Sequence, residues 1–272
     1  MIAFEILMLA SPVALASFGS LASEYSGRMA VFIDGIINLS AFLCWAFSVQ
    51  THSLTLGILL SILLCVAFIA GAIVVIEKTK ANPFLAALGI NLFSSALISL
   101  LSFFWFGTRG VLSKSEFFLP QAETKIFTSV FASLAIAAFM LFLFKTKSGL
   151  YLRITGSDKK VLESRGVSVF TYRVAGWMIA SLYGSFAGCI LALRLSSFVP
   201  NISSGRGWLS LAAVFLGRKT CKGTLIASIA LGLAEYLATR AQNVFPQIAS
   251  PLLISLPYMV SLVLILVQRK KN

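Results

Sequence analysis

Residues 145–173 read KTKSGLYLRITGSDKKVLESRGVSVFTYR, a basic island of seven Lys/Arg against two acids in an otherwise oily chain. VFASLAIAAFMLFLF (130–144) precedes it and VAGWMIASLYGSFAGCILAL (174–193) follows it. A helix needs about 20 predominantly apolar residues to cross the hydrocarbon core of a bilayer. A soluble loop of this size between two such runs makes the chain a polytopic bundle of membrane helices, with the island as its main cytoplasmic feature. Composition agrees. Of 272 residues, 58% are hydrophobic and 11% charged, with a mean hydropathy of +0.94. Soluble domains carry about 25% charged residues.

The net charge of +13 does not indicate a nucleic-acid partner, because the basic residues form short clusters between apolar segments. That is the pattern of charge that sets membrane topology. The N-terminal MIAFEILMLASP lacks a positive leader and carries Glu5, so it reads as a first span and not a cleaved signal. Further candidate spans lie at about 4–22, 29–51, 54–76, 83–106, 126–144, 174–193, 223–240 and 250–267. WLSLAAVFLG, near 207–217, is too short to cross alone and follows the polar stretch SSFVPNISSGRG. It reads as a half-helix, a break tolerated only inside protein or beside a watery cavity. The expected fold is all-α, with about 8–9 membrane helices counting the broken one, in a single transmembrane domain over 1–272.

Placing the island in the cytoplasm puts sixteen basic residues on that side and six on the other. The inner set is Arg28, Lys78, Lys80, the island, Arg218, Lys219, Lys222 and Arg269 to Lys271; the outer set is Arg109, Lys114, Lys125, Arg194, Arg206 and Arg240. The positive-inside rule then selects an outer N-terminus and an inner C-terminus.

Two features of the spans concern packing and charge. Gly176, Ala180, Gly184, Gly188 and Ala192 recur every fourth residue, giving one smooth helix face. It suits close packing within the chain, and a subunit interface is the other reading. Asp34 and Glu235 lie in apolar runs, where a charge costs about 2.5–3.5 kcal/mol on insertion scales. Asp34 either faces the bundle interior or pairs near the interface with Arg28.

Catalytic signatures are missing. There is no G-x-x-x-x-G-K-[ST] phosphate loop, no G-x-S-x-G elbow, and His52 is the single histidine. The four cysteines show neither metal spacing nor a disulfide framework. The reading is therefore a transport protein without its own ATPase site, cofactor or metal. Within the island, Gly156 ends one segment, Ser157 serves as N-cap and Asp158 favours the first turn. Gly166 stands where a C′ glycine closes a helix, giving about two turns over 158–165. Val161 and Leu162 form an apolar patch, rimmed by Lys159, Lys160, Glu163 and Arg165.

SGLYLRITGSDKKVLESRGVSVFTYRVAGWMIASLYGSFAGCILAL (148–193) resembles the cytoplasmic loop and next span of the permease subunits of bacterial ABC importers for simple sugars, nucleosides and branched-chain amino acids. The matching positions are Gly149, Arg153, Gly156, Gly166 with Val167, and then Gly184 and Gly188. GSLASEYSGRMAVFIDGIINLSAF is similar to the family's early segment, with Glu24, Gly27, Asp34 and Gly35 in place. SGRGWLSLAAVFLGRKTCKGTLIAS is similar to its Gly-x-Gly-aromatic stretch. The nearest pattern is the shorter permease of nucleoside and simple-sugar systems. Ile154-Thr155, Leu162, Glu163, Arg165 and Cys221 depart from it.

The resemblance implies a bacterial plasma-membrane permease pairing with a second permease, expected to be a different chain. It implies an ABC ATPase that binds the ATP and an extracytoplasmic solute-binding protein. The coupling helix would be 157–166, using Gly149, Arg153, Gly156, Ser157, Asp158, Val161, Leu162, Glu163 and Gly166. The solute would be nucleoside-like or a simple sugar, with ribityl or flavin compounds in the same circle, and Asp34, Asn38, Trp45, Asn91 and Phe93 are pathway candidates. The competing reading is a self-sufficient ion-coupled carrier, which calls for paired broken helices and several titratable groups.

Overall fold

Ser53, Asn82, Thr146 and Ser168 each accept a bond from a backbone N–H two or three residues on, and each opens a helix. The computed structural model describes residues 2–113, 121–244 and 255–269. Among them run α1 (Ile2–Tyr25), α2 (Ile33–Thr51), α3 (Leu54–Thr79), α4 (Pro83–Phe106), α5 (Gln121–Lys145), α6 (Lys147–Ser157), α7 (Lys159–Ser164), α8 (Val169–Leu195), α9 (Arg206–Leu216), α10 (Cys221–Val244) and α11 (Leu256–Arg269). A two-residue ribbon, β1 (Leu112–Ser113) antiparallel to β2 (Ser197–Phe198), ties two loops together with Leu112 opposite Phe198.

Seven of the described helices, α1–α5, α8 and α10, are long and apolar enough to cross a membrane. The all-α bundle expected from the sequence is therefore present, including the short apolar α9. The expected span at 250–267 begins at 250–254, outside the described residues, as do Lys114, Lys270 and Lys271; its described part is α11, of 14 residues.

α1, α2 and α8 form the centre. The spans of α1 and α2 are 78% and 83% buried, whereas those of α3 and α4 are only 22% and 17% buried. The outer helices therefore present Leu63, Leu92, Phe104 and other large apolar side chains on their exposed faces. The fourfold stripe of α8 explains the tight centre. A Cβ at Gly176 would strike Ser26 and Ala22, one at Gly184 would press on Ile33 and Ile36, and one at Gly188 would overlap Ile37 O and Ser40. Ala180 meets Gly19 of α1. The stripe packs against α1 and α2 of its own chain, the first of the two readings.

Pro12 lies inside α1 and lacks the N–H that would bond the carbonyl of Met8. Arg194, at the end of α8, occupies that gap. Its Nη1 donates to Met8 O at 2.6 Å and its Nη2 to Ser11 Oγ at 2.8 Å. Its Nε reaches Thr128 Oγ1 of α5 at 3.0 Å. One guanidinium thus joins three helices where a proline has opened a ladder, the kind of re-satisfaction that burial in a membrane demands.

At the other end, where Arg28, Lys80 and the island cluster, Glu77 bridges Arg28 at 2.6 Å and Arg173 at 3.0 Å. Arg28 is therefore committed to Glu77, and the expected pairing of Asp34 with Arg28 is not formed.

Gly188→Ala is expected to destabilise the purified protein by about 1–3 kcal/mol through overpacking. Gly71→Ala, where an added Cβ meets nothing within 4 Å, should leave it unchanged. Thermal unfolding in detergent, comparing the two variants, checks both outcomes.

Candidate functional site

α2 does not start at the edge of the bundle. Its first turn, Ile33 and Ile36, lies against Gly184, the fifteenth residue beyond Val169 on α8. At 1.5 Å per residue that is about 22 Å into a helix about 40 Å long. The chain from Ser26 to Phe32 approaches this point in turns and irregular backbone, without helix. α9 starts at the same depth. Its entry turn bends through Asn201, Ser204 and Gly205 at φ of 57°, 47° and 79°.

Both helix N-termini meet at Asp34. The N–H of Gly207 donates to Asp34 Oδ1 at 2.9 Å, and Ser203 Oγ donates to Asp34 Oδ2 at 3.1 Å. Gly205, at the N-cap position of α9, offers no side-chain acceptor. Asp34 supplies that acceptor from another helix while also standing in the first turn of α2. A helix N-terminus carries roughly half a positive charge, so two of them hold one carboxylate in place at low dielectric. Gly207 is required by closeness, since any Cβ there would enter the backbone of Asp34.

Asn38, one turn further along α2, completes the joint. Its Oδ1 accepts from Ser203 N–H at 2.9 Å, and its Nδ2 donates to Ser203 Oγ at 2.9 Å and Asp34 O at 3.1 Å. A hydroxyl pair, Ser20 and Ser210 at 2.8 Å, fastens the next turn of α9 to α1.

Beside this joint lies a cavity of about 250 Å³ between α9, α10 and α11. Ser204, Arg206, Glu235, Thr239, Gln242 and Tyr258 line it. Arg206 begins α9, where a cation is disfavoured by the helix dipole, and its Nη2 pairs with Glu235 Oε1. The remaining buried atoms of that pair, Arg206 Nε and Glu235 Oε2, have no hydrogen-bond partner among the described residues. A second cavity of about 550 Å³ shares Ser204 and Arg206 and is bounded by Pro12 and Arg194.

The pathway candidates are thus only partly gathered. Asp34 and Asn38 form the joint, and Asn91 of α4 touches it through Gly35, whose Cβ would meet Asn91 Oδ1. Trp45 sits further along α2, edge-on to Phe106 at 5.2 Å, with its indole N–H unpartnered among the described residues. Phe93 is 54% exposed and stacks on Phe68, away from the joint, because two residues along a helix turn the side chain to the opposite face. Arg206 was counted in sequence only as loop charge and Glu235 only as a lone acid; a cation and an acid 29 residues apart carry no pairing signal.

The island departs from expectation in three ways. It holds two helices, α6 ending on Gly156 and Ser157, and Ser157 is not the cap of α7. Asp158 is the cap, accepting from Lys160 N–H at 3.0 Å, so α7 begins one residue later than expected. Leu162 is fully buried, while Val161 is 39% exposed with Lys159, Lys160, Glu163 and Arg165. The apolar pair therefore divides into one inward peg and one outward contact. Gly149 and Gly156 also turn inward. A Cβ at Gly149 would strike the end of α5, and one at Gly156 would lie 2.6 Å from Tyr25 O. Arg153 covers the ring of Phe144 at 5.1 Å, and Gly166 closes α7 at φ 69°.

Residues 2–268 match the family described as branched-chain amino acid transport system / permease component. The nucleoside ABC transporter permease protein NupC of Lactococcus lactis subsp. cremoris is 28% identical over 96% of this chain and 90% of its own length. The guanosine ABC transporter permease protein NupQ of Bacillus subtilis is 26% identical over 94% and 88%. Among solved structures, an inward-facing putative metal-chelate type ABC transporter aligns over 99% of this chain and 85% of its own, with a TM-score of 0.60 at 18% identity, a likeness of fold. With a family match that runs almost from end to end, over a bundle of membrane helices, the chain belongs to the permease components of ABC transport systems.

Proposed function

We propose that this permease, acting as one domain over its whole length, forms part of the pathway by which an ATP-driven importer admits an uncharged polar solute, a nucleoside or a simple sugar. The observation that carries the solute class is the charge balance beside α9. Half-helix N-termini commonly face an anionic solute group in transporters, but here the protein's own Asp34 occupies that position. The charged groups lining the adjacent cavity, Arg206 and Glu235, cancel each other. Ser204, Thr239, Gln242 and Tyr258 leave hydroxyl, amide and phenol groups suited to sugar hydroxyls or base edges. The names of the nucleoside and guanosine permeases point the same way. The flavin reading gains no support from those relatives.

Family membership favours a permease subunit over a self-sufficient carrier. The ATPase, the solute-binding protein and a second permease, a different chain, are then its partners in a bacterial plasma membrane. The N-terminus faces outward and the basic end inward. On this reading the outer face of α7 is the ATPase contact, with Val161 as its apolar centre and Lys159, Lys160, Glu163 and Arg165 as rim. Leu162 is the internal peg that holds this six-residue helix, which would be unstable alone.

Reconstitution with the ATPase, second permease and binding protein from neighbouring reading frames tests the reading. Uptake of labelled nucleosides or simple sugars is expected, and transport confined to charged solutes would overturn the solute class. Val161→Asp is expected to weaken ATPase co-purification about tenfold, about 1.4 kcal/mol, with normal thermal stability. Leu162→Asp should lower thermal stability itself. Unchanged co-purification with Val161→Asp would place the contact elsewhere.

Asp34→Ala is expected to cost about 1–2 kcal/mol of thermal stability as a lost N-cap. Asp34→Asn, which keeps an acceptor for Gly207 N–H, should cost less. Equal losses in unfolding measurements would show that the acceptor is not what matters.

A further inference from the structure

A third cavity, of about 560 Å³, opens at the basic end between the α3–α4 turn and the start of α8. Arg28, Glu77, Lys80, Asn82, Pro83 and Arg173 line it. Three cations face one carboxylate, so Glu77 neutralises a single charge and the site keeps an excess of two. Glu77 spends its oxygens on Arg28 Nε and Arg173 Nη1. That holds both guanidinium planes fixed while leaving their other N–H groups for a further acceptor. Arg173 Nε is buried and has no partner among the described residues. The N-terminus of α4 points here as well: Asn82 takes Phe84 N–H and Leu85 N–H, and Pro83 starts the helix. Its positive dipole end adds to the field.

The surroundings select the kind of anion. Next to the lining residues in sequence, α3 and α4 carry exposed apolar side chains, Val75 at 60%, Phe84 at 50% and Leu85 at 63%. A molecule fitting both parts has a phosphate head and hydrocarbon tails. Basic pockets between membrane helices on the cytoplasmic side suit anionic lipid headgroups, and paired guanidinium forks match phosphate oxygens. We infer that the Arg28–Lys80–Arg173 cavity is a binding site for the phosphate headgroup of an anionic phospholipid, whose acyl chains lie along the outer faces of α3 and α4. The site is separate from the α9 joint and does not depend on the identity of the transported solute.

The test uses the purified full-length chain in a neutral detergent, with thermal unfolding followed as phosphatidylglycerol, phosphatidylcholine or soluble glycerol phosphate is added. Phosphatidylglycerol is expected to raise the unfolding temperature well beyond phosphatidylcholine, and glycerol phosphate to have little effect at equal concentration. Lys80→Asn keeps the left-handed backbone at φ 54°, which Asn tolerates, and should lose at least half of the phosphatidylglycerol increment. Arg173→Gln should lose more, and Lys222→Gln, an exposed charge in the first turn of α10, should keep all of it. An equal response to phosphatidylcholine would overturn the inference. A response as large with glycerol phosphate would assign the cavity to a free phosphate. Equal loss in Lys222→Gln would reduce the effect to net charge. Retention of the full increment in Lys80→Asn together with release of the co-purified ATPase would assign the surface to that partner.

Discussion

A half-helix buried in a membrane protein needs partners for its first N–H groups, and in this permease Asp34 meets that need at Gly207 from another helix. Gly207 is buried, and an unsatisfied amide in such surroundings costs about 1–3 kcal/mol in proteins. Asp34 meets the need from α2, and Ser203 and Asn38 lock the entry turn around it. The carboxylate in turn takes Gly207 N–H and the Ser203 hydroxyl in place of hydration it has lost. The position of α9, and hence the walls of both cavities that include Arg206, follows from this mutual need.

The bundle was legible in the sequence because lipid imposes one rule on every span. Long apolar runs and the fourfold stripe from Gly176 are local patterns, and they appear as helices and a smooth face. The break before α9 was legible too, from a short apolar run behind a polar turn. Pairings between distant residues were not. Asp34 with Gly207, Arg206 with Glu235 and Glu77 with two arginines each join segments that no spacing connects. Arg28 stands six residues before Asp34, so their pairing is one of two readings the sequence allows, yet Arg28 bonds Glu77 instead.

The island teaches a related lesson about glycines. Gly149 and Gly156, read as marks of a coupling surface, are places where α6 lies directly on the backbones of α5 and α1. Their spacing reports how closely helices of one chain approach. The residues left facing outward on α7, with Val161 at their centre, belong to the exposed face of a helix that Leu162 anchors from beneath.

The contact of Gly156 with the carbonyl end of α1 has a mechanical consequence. α6 rests against Tyr25 and Gly27, and seven residues beyond Gly27 the chain arrives at Asp34. With no compressible side chain between α6 and that strand of backbone, a tilt of the α6–α7 bracket cannot be absorbed at the surface. It must shift the linker, and the linker leads to the acid on which α9 is seated. A force applied at the rim thus has a route of a few residues to the centre of the bundle.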